Sequence, residues 1–385
     1  MNILFVEPYY GGSHKLFLDQ LIIELEQRNH QCHSIKLPAK KWRWRFLSSH
    51  FQLAEMVNNN FLNSPPEIIV CSSLMDTASF KGLLLPHFQK TAIITFFHEN
   101  QMAYPINESA ENRKDQIKLR KYTYPLVHLN QILGSDGLLF NSKYNHQSLF
   151  EGVEKFIRKM PDANPKKLIE KAKKKCFITG LGLKMNETIS EPIPWDKRPM
   201  RILWNHRWEY DKNPNEFIKL FQNLVKKNKH LELDILGEDR SGEHTDTFLE
   251  FKDRFPGHIK TFGGLKERED YINQLGKSRL LPVTSHHDFF GLSVVDAILN
   301  GVIPLLPRRL SYPELIPVNL HQKLLYSDFK ELCKKSSLLL EYGLGESEKR
   351  DLITWLRKYD WPHYSDKIIN IFDDVLKKKN DELSV

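Results

Sequence analysis

The sequence predicts two doubly wound α/β domains facing across a cleft, and three observations predict it. The chain has 385 residues, more than one hydrophobic core usually serves, so two domains are expected. Short apolar, β-branched runs alternate with helix-length amphipathic stretches, the pattern of parallel sheets covered on both faces. The alternation stops at NETISEPIPWDKRPM, residues 186–200, where Pro192, Pro194 and Pro199 mark a linker, and then restarts. The division is therefore an N-terminal domain at 1–190, a second domain at 199–355, and a terminal helix within 356–385, after a break at Pro362, packing back on the first domain.

In the first half the expected strands are 3–6, 33–37, 68–71, 92–97, 137–140 and 176–179. In the second they are 201–204, 231–236, 259–262, 280–283 and 302–305, with helices such as 16–27, 216–227 and 292–299 between them. Doubly wound sheets bind ligands outside the carboxyl ends of their strands. The residues just after each strand therefore matter most.

Composition narrows the class. A hydrophobic content of 41% supports sizeable cores, and no apolar run approaches the roughly 20 residues that span a bilayer. The run 3–6 is too short for a secretion signal and meets an acid at Glu7. Cys32, Cys71, Cys176 and Cys333 lie far apart without metal-ligand spacing, so reduced thiols and a cytoplasmic location are expected. Residues 1–195 hold 25 Lys and Arg against 18 Asp and Glu, whereas 196–385 hold 31 against 30. Nearly all of the +8 net charge sits in the first half. That is either a soluble basic surface or a face that meets a polyanion.

The opening strand runs into Glu7-Pro8-Tyr9-Tyr10 and then Gly11-Gly12-Ser13-His14. Two adjacent glycines fit either a tight turn with Ser13 capping a helix, or backbone amides that approach an anion closely. Residues 92–105, AIITFFHENQMAYP, carry a strand into His98, Glu99, Asn100 and Gln101. His98 there either donates to a sugar hydroxyl and supports an anomeric centre, or caps the next segment. Between them, LPAKKWRWR at 37–45 interleaves Lys40, Lys41, Arg43 and Arg45 with Trp42 and Trp44, in an alternation that fits a loop better than a helix. Cations hold phosphates while indoles stack on unpaired bases, the usual means of gripping single-stranded loops. Basic runs at 113–122 and 166–175 either extend that track or are solvated helix faces.

The second half carries the sharpest pattern. In 285–307, SHHDFFGLSVVDAILNGVIPLLP, Asp288 and Asp296 lie eight apart around Gly291. This resembles the way retaining glycosyltransferases with two Rossmann-like domains grip a sugar nucleotide, the first carboxylate on sugar hydroxyls and the second on the ribose. A carboxylate accepts hydrogen bonds from both hydroxyls of a vicinal pair. A helix starting at Gly291 and Leu292 would turn free amides to the phosphates. Upstream, WNHRWEYDKNP places Arg207 and Lys212 five apart. On their own an Arg and a Lys in a loop would be solvated, but in the enzymes this pattern resembles a pair at that spacing holds the diphosphate, neutralising its developing charge without a metal ion.

These motifs, with FNSKYN at 140–145 and YPE at 312–314, make the chain similar from end to end to the tRNA-queuosine α-mannosyltransferases. The resemblance implies a GT-B fold, GDP-mannose as donor, retention at the anomeric carbon, and the queuosine diol of tRNA-Asp as acceptor. It implies catalytic roles for His98, Arg207, Lys212 and Asp288. It gives the donor to Gly11, Gly12, Arg207, Lys212, Gly291, Leu292 and Asp296. The residues expected to meet the acceptor are His14, residues 40–45, Glu99, Asn100 and Gln101, and no metal or other cofactor is expected. The family usually has Glu where this chain has Asp288 and Asp296, so each carboxylate is one methylene shorter here. A glycosyltransferase acting on a lipid or polysaccharide, and a non-catalytic sugar-nucleotide or RNA-binding module, are the competing readings. The first should show a basic amphipathic helix with exposed apolar residues; the second should lack the cations or the acids.

Overall fold

The computed structural model describes residues 1–105, 113–161, 165–185, 193–238 and 245–384. Residues 186–192 of the expected linker, with Pro192, lie outside them. The chain divides into two compact units: unit 1 is Met1–Leu183 with Tyr359–Val385, and unit 2 is Lys184–Lys358.

Unit 1 is built on six parallel strands: β1 (Asn2–Tyr10), β2 (Gln31–Pro38), β3 (Ile68–Ser72), β4 (Ala92–Phe97), β5 (Gly137–Phe140) and β6 (Cys176–Ile178). Their order is β2-β1-β3-β4-β5-β6. Unit 2 repeats the plan with β7 (Arg201–Trp204), β8 (Glu232–Leu236), β9 (Ile259–Gly263), β10 (Leu280–Pro282), β11 (Ile303–Pro307) and β12 (Leu325–Tyr326), in the order β12-β11-β10-β7-β8-β9. Sheet growth reverses direction between β1 and β3 in the first unit and between β7 and β10 in the second. Such switch points leave a crevice at the carboxyl ends of the strands. Every residue of β3, β4, β5 and β11 is buried, which is why these strands read as unbroken apolar runs. The two-residue strand β12 has no counterpart in the sequence reading, being too short to show a period.

The helix after β1 is Gly12–Glu26, with Gly11 rather than Ser13 at its N-cap position and no side-chain cap. The paired glycines have two separate causes. A Cβ on Gly11 would fall 2.5 Å from the Ala39 Cβ, so Gly11 lets the ends of β1 and β2 pack. Gly12 holds a left-handed φ of 54° with open space around it. The last helix, Trp361–Leu383, belongs to unit 1. Pro362 sits in its first turn, where the missing amide hydrogen is not needed, and does not break it. Trp361 packs 5.8 Å from the Phe17 ring and against Gly182, where a Cβ would be 2.3 Å from the indole.

Candidate functional site

In unit 2 the loops leaving β7 and β10 carry the expected donor residues. Thr284, after β10, donates its hydroxyl to the carbonyl oxygens of Lys212 and Asn213, each at 3.0 Å, and so ties the two loops together. Lys212 is buried; its ammonium donates to the His287 carbonyl at 2.8 Å and lies 3.5 Å from Asp288 Oδ2 and 3.2 Å from Asp211 Oδ2. Burial alone would discharge it, but Asp288 and Asp211 outweigh burial and hold its pKa above the ordinary value. Burial likewise opposes the Asp288 charge, and Lys212 overrides it, holding that carboxyl below the usual range. Asp288 is fixed further by the Phe290 amide at 3.2 Å and the buried Tyr312 hydroxyl at 3.3 Å. His206 is pushed down to about 3 by burial and by Lys212, so it is neutral here. Arg207 is different: its side chain is 45% exposed, with Nη1 3.2 Å from Glu209 Oε1.

Asp296 stands apart from that cluster. It lies on the helix Leu292–Leu299, whose N-cap Gly291 has a φ of 93°. Its two oxygens accept from Arg268 Nη1 and Nη2, each at 2.8 Å. The Arg268 guanidinium also lies 5.2 Å from the Tyr271 ring, whose hydroxyl accepts from Asn205 at 3.1 Å. The structure thus joins Lys212 to Asp288 and gives Asp296 a cation that the sequence reading had not named.

In unit 1 the ends of β1 and β4 bring Glu7, His14 and His98 together. Glu7 is buried; its Oε1 accepts from the Tyr9 amide at 2.8 Å and its Oε2 lies 3.2 Å from His14 Nδ1. The His14 and His98 rings are 4.6 Å apart, and Phe96 and Phe17 wall His98 at 4.3 and 5.0 Å. Burial works against a charged His14, but Glu7 prevails and raises its pKa. Burial, and then His14 beside it, drive His98 well below the ordinary value, so the two imidazoles are shifted in opposite directions. The donor atoms of Glu7, His14 and His98 all lie within 4.8 Å of one another, so these three could also hold a metal ion.

Two expected acceptor residues belong to the fold. Asn100 is fully buried; its amide donates to Asn145 Oδ1 at 2.8 Å and Ser148 at 3.0 Å, and its oxygen accepts from the Met102 and Ala103 amides. No hydrogen-bonding capacity is left for a ligand. Gln101 is buried, its amide donating to Glu99 Oε1 at 2.9 Å, so it positions Glu99. FNSKYN is likewise architectural. Ser142 caps the helix Lys143–Ile157, and Asn145 ties it to the Phe97 carbonyl at 2.8 Å.

The 40–45 stretch is not a loop. Lys41, at a left-handed φ of 48°, starts the helix Trp42–Phe61. The alternation of Trp and Arg hides a helical face in which Phe46, His50, Leu53, Ala54 and Val57 are buried. The helix separates the two indoles: Trp42 is partly buried 6.2 Å from Tyr124, while Trp44 is 70% exposed. Among the described residues, Lys40, Lys41, Arg43 and Arg45 have no carboxylate within ion-pair distance. Glu7, Asp211, Tyr312, Tyr271 and Arg268 were missed in the sequence. The first three sit inside quoted motifs, as neighbours or as parts of YPE, and were legible there. The pairing of Arg268 with Asp296 spans 28 residues and left no local signal.

Comparison with known proteins agrees with this geometry. Residues 2–183 match the family described as tRNA-queuosine alpha-mannosyltransferase N-terminal, and residues 185–350 match glycosyl transferases group 1. The chain is 30% identical over 345 residues to the tRNA-queuosine alpha-mannosyltransferase of Drosophila melanogaster, covering 87% of this chain and 85% of that one. Solved structures share the fold at low identity. Sucrose-phosphate synthase of Thermosynechococcus elongatus aligns with a TM-score of 0.69 at 11% identity, over 98% of this chain and 100% of that one. HepE of Anabaena, solved in complex with UDP, aligns at 0.67 with 12% identity, over 97% and 100%. The two parallel six-stranded sheets are those of a GT-B glycosyltransferase, and the chain belongs to the tRNA-queuosine alpha-mannosyltransferase family.

Proposed function

We propose that this enzyme transfers mannose from GDP-mannose to the cyclopentene diol of queuosine in the anticodon loop of tRNA-Asp, with retention at the anomeric carbon. The observation that carries the donor half is the pairing of the buried Lys212 with the partly buried Asp288 at the switch point of unit 2, flanked by the half-exposed Arg207. Arg207 and Lys212 hold the diphosphate. As the bond from the anomeric carbon to the phosphate oxygen breaks, both electrons go to the oxygen and these cations stabilise the new charge. Asp288 accepts hydrogen bonds from sugar hydroxyls, and Asp296 takes the ribose diol. The amides at Gly291 and Leu292 face phosphate.

Unit 1 takes the acceptor. Its neutral His98 offers one hydrogen-bond donor and one acceptor to a sugar hydroxyl, while Glu7 holds His14 beside it. Glu99 and the basic stretch 40–45 contact the RNA. The proposed reaction needs no metal at the diphosphate and takes place in the cytoplasm. UDP in the HepE complex supports a nucleotide diphosphate ligand, and the Drosophila relative's name supports queuosine in tRNA as acceptor. Mass spectrometry of nucleosides from queuosine-bearing tRNA, after incubation with GDP-mannose, UDP-glucose or UDP-galactose, tests the reading. A hexose added to queuosine only with GDP-mannose is expected. No modified nucleoside with any donor would reject the tRNA acceptor.

A further inference from the structure

The Leu119–Thr123 segment is a single π-helical turn, a local widening that often marks a functional position. It lies beside the start of the helix Trp42–Phe61. Tyr124 packs 5.4 Å from Phe46 and 6.2 Å from Trp42. The buried cluster Phe46, Leu74, Tyr124 and Val127 has Trp42, Leu119 and Tyr9 packed against it. Burial raises the pKa of the Tyr124 hydroxyl, and Arg43 and Arg120, one from each element, offset part of that rise. On the outer side, Tyr122 is 55% exposed with the Lys121 ammonium 5.0 Å from its ring, and Trp44 is 70% exposed. Tyr9, at the edge of the same cluster, meets His14 edge-on at 6.4 Å. The π-turn, the start of the helix Trp42–Phe61 and Tyr9 beside His14 are thus joined through one buried cluster of unit 1.

We propose that this π-turn is a second RNA-contact element, with Tyr122 stacking on an unpaired base and Lys118, Arg120 and Lys121 meeting phosphates. This rests on the reading of tRNA as acceptor and extends it. Exposed aromatic rings set among cations suit a single-stranded nucleic acid, because every base offers a π-face and every nucleotide a phosphate. The segments 40–54 and 116–134 contain no Asp or Glu, so nothing on them repels a polyanion. A membrane surface fits less well: the exposed side of the helix Trp42–Phe61 interrupts its aromatic residues with Gln52 and Glu55.

Filter binding of a queuosine-bearing tRNA-Asp anticodon stem-loop across a salt series tests this. The variants are Tyr122→Ala, Tyr122→Phe and Lys118→Ala/Lys121→Ala, with Lys40→Ala/Lys41→Ala as reference. Tyr122→Ala should weaken binding roughly 5- to 150-fold without changing the salt slope, and Tyr122→Phe should restore it. Lys118→Ala/Lys121→Ala should flatten the slope by about 1–2. GDP binding and melting temperature should stay as in the wild type. If only the reference variant loses affinity, the π-turn is not a contact, although the acceptor reading stands. If neither set loses affinity, the acceptor reading itself fails. Tyr122→Ala lowering the melting temperature and GDP affinity together would make Tyr122 structural. Cosedimentation with phosphatidylserine vesicles that Lys118→Ala/Lys121→Ala abolishes, with RNA binding intact, would assign the surface to lipid and overturn the proposal.

Discussion

Two sets of cations, those around the donor loops of unit 2 and those of the 40–45 stretch of unit 1, are kept in opposite ways. In unit 2, Lys212 is matched by Asp211 and Asp288, Arg268 by Asp296, Arg201 by Glu232 and Asp234, and Arg207 by Glu209. In unit 1, Lys40, Lys41, Arg43 and Arg45 have no carboxylate partner among the described residues. A compensated, buried cation keeps one position, which suits charge developing at one bond. Uncompensated cations on a surface leave the countercharge to be supplied from outside. The excess of 25 basic over 18 acidic residues in 1–195, against 31 over 30 in the remainder, runs in the same direction.

The largest effects should come from the paired cations. Arg207→Ala should lower kcat by about 100- to 1,000-fold, the scale of losing one donor to a developing oxyanion. Its half-exposed side chain means the melting temperature should not move. Near-normal turnover would remove Arg207 from the diphosphate. Lys212→Ala should abolish activity and also destabilise the fold by about 3–5 kcal/mol, because the buried Asp211 and the partly buried Asp288 would lose their shared cation. Denaturant titration separates the two cations: equal stability losses would break the contrast between a buried and an exposed one.

The carboxylates sharpen it next. Asp288→Asn should impair turnover while leaving GDP affinity nearly unchanged, and Asp296→Asn should weaken GDP and GDP-mannose alike. Calorimetry showing the reverse would swap their roles. Turnover should survive EDTA; loss restored by Zn²⁺ would instead place a metal at Glu7, His14 and His98.

Unit 1 should respond more mildly. Trp44→Ala should cost tRNA binding about 1–3 kcal/mol with no change in melting temperature, whereas Trp42→Ala, which removes a ring packed near Tyr124, should lower stability. Equal behaviour of the two would contradict the helix that separates them. A smaller effect concerns pH. Burial opposes the His14 charge but Glu7 outweighs it, so the folded pKa is raised. The pair's stability is therefore fully present below about pH 6.5, the ordinary histidine value, and is lost as pH rises through the folded value above it. The melting-temperature gap between wild type and Glu7→Gln should be widest near pH 6 and narrow in alkali. A gap independent of pH would mean that His14 does not titrate with Glu7.

How much of this was legible in the chain follows from where each signal lives. Strands such as Ala92–Phe97 and Arg201–Trp204 were read to the residue, because parallel strands buried on both faces leave unbroken apolar runs. The helix Trp42–Phe61 was not, since Trp42-Arg43-Trp44-Arg45 alternates with a period of two just where the first turn begins. Arg207, Lys212 and Asp288 were marked by spacing within motifs, and the structure brings Lys212 and Asp288 to 3.5 Å of each other. The capture of Asn100 by Asn145 and Ser148, and of Asp296 by Arg268, depends on elements that meet only after folding. Polar residues at the ends of strands look alike in sequence whether they face a ligand or a neighbouring helix.

The most direct test of the division between the units compares two ligands over one salt series, in the wild type and in Lys40→Ala/Lys41→Ala/Arg43→Ala/Arg45→Ala. Affinity for queuosine-bearing tRNA-Asp should fall steeply with salt in the wild type, and the variant should flatten that slope by about 3. GDP affinity should show a shallow slope that is the same in both proteins. A tRNA slope unchanged in the variant, or a GDP slope that changes with it, would contradict the account.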